Sequence, residues 1–210
     1  MFDKEGIFTR FPELKACRDA MEKALSGLIA AAKGDGKILC CGNGGSCADS
    51  DHIVGELMKG FLKKRPLAEK DLKLWADAYG EAGVRAARQL QGGIQAISLP
   101  SQEALLSAYC NDCDPEMMYA QLAWNYARAG DALIGITTSG NAKNVLAAAR
   151  AAKLRGAFVL GLTGRKDSAL SEIADVTIQV PEQETYRVQE YHLPVYHWLC
   201  AGVEDVLFEN

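Results

Sequence analysis

The sequence has no run of about twenty apolar residues, the length a membrane-crossing helix requires, so no such span and no membrane partner are expected. It also lacks an excess of positive charge. The net charge is −4 and the pI is near 5.5, which gives no basic face of the kind nucleic-acid binders present. Lys63-Lys64-Arg65 is a local basic run, and three charges before a proline read as a solvated loop. The N-terminal Met1-Phe2-Asp3-Lys4-Glu5 is not a basic leader followed by an apolar core, so a cytoplasmic location is expected. Histidine is scarce, at three residues. Cysteine is not: seven are scattered at 17, 40, 41, 47, 110, 113 and 200. An odd, dispersed set without an export signal reads as reduced thiols. Cys110-Asn111-Asp112-Cys113 is a CxxC motif, but no second pair completes a metal site and no strand feeds directly into it. Its spacing is read as incidental.

What is present is ordinary for a globular chain: 49% hydrophobic and 24% charged residues over 210 positions, the size of one domain. Glu13 to Lys33 is apolar at helical spacing, through Leu14, Cys17, Met21, Leu25, Leu28 and Ile29, and stops at Gly34. Lys37 to Cys41 reads as a buried strand, and Ala48 to Leu62 as a helix. Four further apolar runs repeat the strand pattern: Ile94 to Leu99, Asp131 to Ile136, Ala157 to Leu162, and Val176 to Val180. Helical patterns lie near 115–129, 141–154, 168–173 and 185–207. Apolar strands alternating with helices predict an α/β fold with a mostly parallel sheet covered on both faces. The charged segment 66–93, with Trp75 and Tyr79, interrupts that rhythm and reads as a helical insertion within a single domain spanning 1–210.

Two strand-to-helix junctions carry anion-binding chemistry: Gly42-Asn43-Gly44-Gly45-Ser46 and Thr137-Thr138-Ser139-Gly140-Asn141. Glycines let the backbone approach a ligand closely. The following helix N-terminus offers free N–H groups and the positive end of its dipole to an anion. Neither loop is a Walker motif or a dinucleotide fingerprint. Both fall where open α/β sheets bind ligands, at strand C-terminal ends.

His52 and Glu56 are four residues apart on a predicted helix and share one face. Gln189 and His197 are eight apart on the last helix, which is about 12 Å along the axis and about 80° around it. One metal is reached by both only if the side chains lean together, or if two subunits contribute. His, Glu, Gln and His suit a divalent ion of borderline hardness such as zinc. The same groups can exchange protons near neutral pH. His192 is assigned no role.

Taken together, Cys41-Gly42-Asn43-Gly44-Gly45-Ser46, His52-x-x-x-Glu56, Asn111-Asp112, Gly135 to Asn141, Leu162-Thr163-Gly164 and Arg187-Val188-Gln189-Glu190, with His197 following, resemble the SIS (sugar isomerase) domain family. Within that family they resemble the phosphoheptose isomerases. The resemblance implies a flavodoxin-like three-layer α/β/α sandwich with a five-stranded parallel sheet and an N-terminal helix. It implies a homotetramer with active sites at subunit interfaces. It also implies isomerisation of a sugar phosphate, sedoheptulose 7-phosphate, to D-glycero-D-manno-heptose 7-phosphate. Ser46, Thr137, Thr138 and Ser139 would bind phosphate, and Asn43, Gly44, Asp112 and Gln189 would contact substrate. His52, Glu56, Gln189 and His197 would surround zinc, with Glu56 and His197 as the acid–base pair.

Three positions depart from the family pattern: Ala142 replaces a usual serine, Tyr186 a usual aspartate, and Gly60 a common arginine beside Lys59. These departures keep an isomerase of another phosphosugar open. The main alternative is a non-catalytic regulatory or partner-binding SIS protein. It would need the phosphate loops but not Glu56 and His197.

Overall fold

Each apolar run becomes a strand. The computed structural model describes residues 2–208. It places, in chain order, α1 (Gly6–Arg10), a 3-10 helix (Pro12–Cys17), α2 (Arg18–Lys33), β1 (Ile38–Gly42), α3 (Gly45–Met58), α4 (Glu69–Ala87), β2 (Ala96–Ser98) and α5 (Glu103–Asp112). After a short 3-10 turn (Pro115–Met117) come α6 (Met118–Tyr126), β3 (Ala132–Ile136), α7 (Lys143–Leu154), β4 (Phe158–Thr163), α8 (Ala169–Ile173), β5 (Val176–Gln179) and α9 (Thr185–Leu207).

All neighbouring strands pair in parallel, in the order β2-β1-β3-β4-β5. This is the flavodoxin-like order, whose switch point lies between β1 and β3. Side chains alternate across a strand, so β1 serves two cores. Ile38 and Cys40 join Met21 and Leu28 of α2, Ile53 and Leu57 of α3, and Val195 and Leu199 of α9. Leu39 and Cys41 join Tyr119 and Leu122 of α6 and Val145 and Ala149 of α7. Burial on both faces is why the strands read as continuous apolar runs and not as alternating ones. It also puts α3 and α9, the helices bearing His52 and His197, on the same face of the sheet.

The elements depart from the sequence reading most at α3 and α5. The helix after β1 begins at Gly45 and not at Ala48, because the glycine loop itself winds into the first turn: the Ala48 N–H reaches the Gly44 carbonyl at 3.2 Å. That helix ends at Met58, because the N–H groups beyond it turn elsewhere: Gly60 to Gln91 Oε1, and Phe61, Leu62 and Lys63 to the Glu204 carboxylate. The helix α5 was not anticipated, and it buries none of its residues. The segment 66–93 contains α4, broken at Gly80 (φ 58°). Its ends meet through an antiparallel bridge between Pro66 and Gln91 and a 2.7 Å bond from the Gly92 N–H to the Arg65 carbonyl.

Candidate active site

The two glycine- and hydroxyl-rich loops follow β1 and β3, the strands that flank the switch point. That crevice is the usual ligand position in this sheet topology. Gly44 takes φ 58° ahead of α3, and Gly140 takes φ 70° ahead of α7. Asn43 and Asn144 join the loops by a reciprocal amide pair, with both N–H···O distances 2.9 Å. A groove of about 350 Å³ opens there, lined by Asn43, Glu116, Ala142, Lys143 and Asn144 among others. Ser46 and Thr137 are buried, Thr138 is partly covered and Ser139 is exposed. The Ser139 Oγ accepts from the Asn141 N–H at 3.2 Å.

The second part of the site lies where α3 and α9 run side by side. Gly45 faces Gln189, and seven residues further along each helix His52 meets Tyr196. The constant offset means the two helices are parallel. Helical spacing alone therefore carries His52, Glu56 and His197 to one place. His52 Nε2 is 3.1 Å from Glu56 Oε1 and 3.4 Å from His197 Nε2. Ligand atoms of the three residues all lie within 4.8 Å of one another. Phe61 and Tyr196 pack edge-on or tilted around His197, with ring centroids at 5.4 and 5.0 Å. Burial and the neighbouring His52 hold the His197 imidazole below the ordinary histidine range, against the opposing pull of Glu56. Two imidazole nitrogens and a carboxylate oxygen converging in this way can hold a divalent cation or pass a proton.

A buried ion pair fixes the backbone behind Glu56. The Arg65 guanidinium donates to the Leu57 and Glu56 carbonyls at 2.6 and 3.2 Å, and to Glu204 Oε1 at 2.7 Å. Glu204 sits on α9 and also accepts from the N–H groups of Phe61, Leu62 and Lys63. Burial opposes ionisation of Glu204, but these N–H groups and Arg65 outweigh it and hold the carboxyl below its usual value. Arg65 and Glu204 thus tie the C-terminal end of α3 to α9, next to the cluster.

Gln189 does not join the cluster of His52, Glu56 and His197. It lies against Gly45, where any side chain would collide with its amide, about 12 Å from His197 along α9. That places it beside the first loop, where a ligand held by the loops would pass. Asp112 is exposed at the end of α5, where it accepts from the Asn111 amide at 2.8 Å. The structure gives it no contact with the loops or the cluster.

The departures also have a local account. A Cβ at Gly60 would come 2.5 Å from the Lys63 carbonyl oxygen and 3.0 Å from Gln91, so the loop in this conformation has no room for an arginine there. The positive charge near the cluster comes instead from Lys59, whose ammonium is 3.3 Å from Glu56 Oε2. Tyr186 is exposed and accepts from the Arg187 Nε at 3.0 Å.

Sequence reasoning missed Asn144, Lys143, Arg65, Glu204, Asp49 and Tyr196. Lys143 follows the second loop directly and forms a 2.7 Å ion pair with Glu116, so its position was available from the sequence. The others depend on contacts between residues more than one hundred positions apart, apart from the local bonds of Arg65 to α3.

Two stretches of the chain, residues 11–98 and 113–195, match family models of the SIS domain. The phosphoheptose isomerase of Helicobacter hepaticus is 35% identical over 206 residues, 98% of this chain and 88% of that protein. The phosphoheptose isomerase of Rhodospirillum rubrum is 32% identical over 197 residues, 94% of this chain and 91% of that protein. The solved phosphoheptose isomerase of Neisseria gonorrhoeae superposes with a TM-score of 0.68 at 29% identity, over 93% of this chain and 96% of that one. By sequence and by fold, the chain belongs to the SIS domain family, within its phosphoheptose isomerase group.

Proposed function

We propose that the protein isomerises sedoheptulose 7-phosphate to D-glycero-D-manno-heptose 7-phosphate, with Glu56 and His197 exchanging protons with the substrate. One observation carries this reading. A carboxylate and two imidazoles converge on one point of the α3–α9 pair, and α3 begins in an anion-binding loop. From Gly45 to His52 is about 10 Å along the helix. That is the order of length of an extended seven-carbon sugar phosphate, so the phosphate can rest at the loops while C1 and C2 reach the cluster.

In the reaction, backbone N–H groups of the two loops and the hydroxyls of Ser46, Thr137, Thr138 and Ser139 hold the phosphate. Asn43 and Gln189 take sugar hydroxyls; Asp112, apart from the loops and the cluster within one chain, would do so only across a subunit interface. The Glu56 carboxylate removes a proton from C1 of the ketose and returns it to C2. His197 protonates O2 as the enediol forms and takes the proton from O1 as the aldehyde forms. Atoms and charge balance, and no net proton is consumed.

The donor set also fits zinc. Two imidazole nitrogens and one carboxylate leave a fourth position open, as catalytic zinc sites do. The 3.4 Å separation of the two Nε2 atoms is close to the ~3.3 Å edge of a tetrahedron with Zn–N bonds of 2.0–2.1 Å. Held by His52 and Glu56, and by His197 only while its Nε2 carries no proton, zinc would supply Lewis-acid stabilisation of the negative charge that develops on the sugar oxygens. A Gln189 ligand would have to lean in or come from a second subunit.

The assembly is read as a homotetramer with interfacial sites, and the cavity of about 420 Å³ beside His197, whose lining includes Phe2, Ile7, Phe11 and Leu193, is apolar surface that a second subunit could cover. A cytoplasmic location fits a phosphorylated substrate and unpaired thiols.

Glu56→Gln tests the acid–base assignment. Turnover should fall by about 10²–10⁴-fold, while sugar-phosphate binding, followed by calorimetry, persists. Near-normal turnover in this variant would remove the glutamate from the mechanism.

A further inference from the structure

We propose that Asp49 and Tyr196 form a hydrogen-bond relay that keeps the His52 proton on Nδ1, so that Nε2 faces Glu56 and His197 as an electron-pair donor. The effect on zinc rests on the metal reading above; the effect on the imidazole itself does not.

Asp49 and His52 are three residues apart on α3 and so lie on one face of it. Tyr196 reaches both from α9. Its hydroxyl oxygen is 2.9 Å from His52 Nδ1 and 3.2 Å from Asp49 Oδ1. The tyrosine is only 2% exposed, so bulk water is not an alternative partner.

A phenol has one proton to give, and two acceptor positions compete for it here. Asp49 decides between them. Tyr196 is the partner of its Oδ1, and its Oδ2 is buried without a partner among the described residues. A carboxylate only accepts, and a covered one left without any donor is costly. The hydroxyl proton therefore goes to Asp49, and the phenol oxygen accepts from His52. The direction runs from His52 Nδ1–H to the Tyr196 oxygen, and from Tyr196 O–H to Asp49.

The consequence appears on the other side of the ring. With the proton on Nδ1, His52 Nε2 offers a lone pair towards Glu56 Oε1 at 3.1 Å and His197 Nε2 at 3.4 Å. Acceptors crowded together in this way call for a cation. Ligating histidines commonly have their second nitrogen fixed by a carboxylate or carbonyl; here a tyrosine is interposed. Asp49 and Tyr196 do not touch the reacting carbons and are positioning residues.

Tyr196→Phe removes the hydroxyl and keeps the ring. In metal-free wild-type protein at alkaline pH, ¹⁵N ring shifts should assign His52 as the Nδ1–H tautomer, and in Tyr196→Phe the proton should move wholly or partly to Nε2. Zinc affinity, measured by competition with a chelating dye, should fall about 10–100-fold in the variant, and the melting temperature of the metal-free protein should fall too, because Asp49 loses its donor. An Nε2–H tautomer in the wild type overturns the relay, even if the variant fails to fold. A variant with unaltered ring shifts and zinc affinity also overturns it. Wild-type protein that binds no zinc removes the metal reading, and the ring shifts then judge the relay alone.

Discussion

At the scale of single residues, histidine separates by surroundings. His52 and His197 meet a carboxylate and each other, whereas His192 is fully buried beside the Thr163 backbone with neither ring nitrogen partnered among the described residues. Burial pushes the His192 pKa down to about 4, below the ordinary value near 6.5. The folded chain therefore keeps this ring neutral while the unfolded chain protonates it. Stability from this residue is full above the unfolded pKa and is lost as pH falls from there towards 4. Between pH 7 and pH 5 the wild type should lose about 2 kcal/mol more stability than His192→Phe, measured by urea unfolding. Parallel pH profiles for the two proteins would show that His192 is not held neutral. Sequence spacing paired His52 with Glu56, since both lie on one helix. Asp49, Tyr196 and the meeting with His197 depend on how α3 lies against α9, which spacing within either helix cannot report.

At the scale of elements, strands and loops were readable for a simple reason. A parallel strand buried on both faces is a continuous apolar run, and a loop that turns sharply into a helix needs glycine and hydroxyl residues. The helix α5 was passed over because its apolar stripe is short, Leu106, Tyr109 and Cys110, and only partly covered, with no residue of the helix fully buried. The end of α3 was misplaced because its stop signal, Glu204, lies far along the chain on α9. The same contact predicts a stability effect. Arg65 and Glu204 have side-chain exposures of 0% and 1%, so Arg65→Met leaves a buried carboxylate without its partner. The cost should be about 3–5 kcal/mol, read from denaturant midpoints at neutral pH. A loss below about 1 kcal/mol would mean that water or a rearranged loop replaces the guanidinium.

At the scale of the whole molecule, strand order does what no single motif does. It brings the loop after β1 and the loop after β3 to either side of one crevice. The parallel packing of α3 and α9 then gathers His52, Glu56 and His197 further along the helix that starts there. Gly60, Tyr186 and Ala142 alter the margins of this arrangement and leave the cluster intact. The central claim is that the crevice and the cluster form one active site for a seven-carbon ketose phosphate. Its most direct test is the isomerisation of sedoheptulose 7-phosphate by the purified protein, with the aldoheptose phosphate followed as product, before chelation, after chelation and after zinc is restored. The account predicts turnover that disappears on chelation and returns with zinc; zinc-loaded protein that binds the sugar phosphate yet forms no aldose would contradict it.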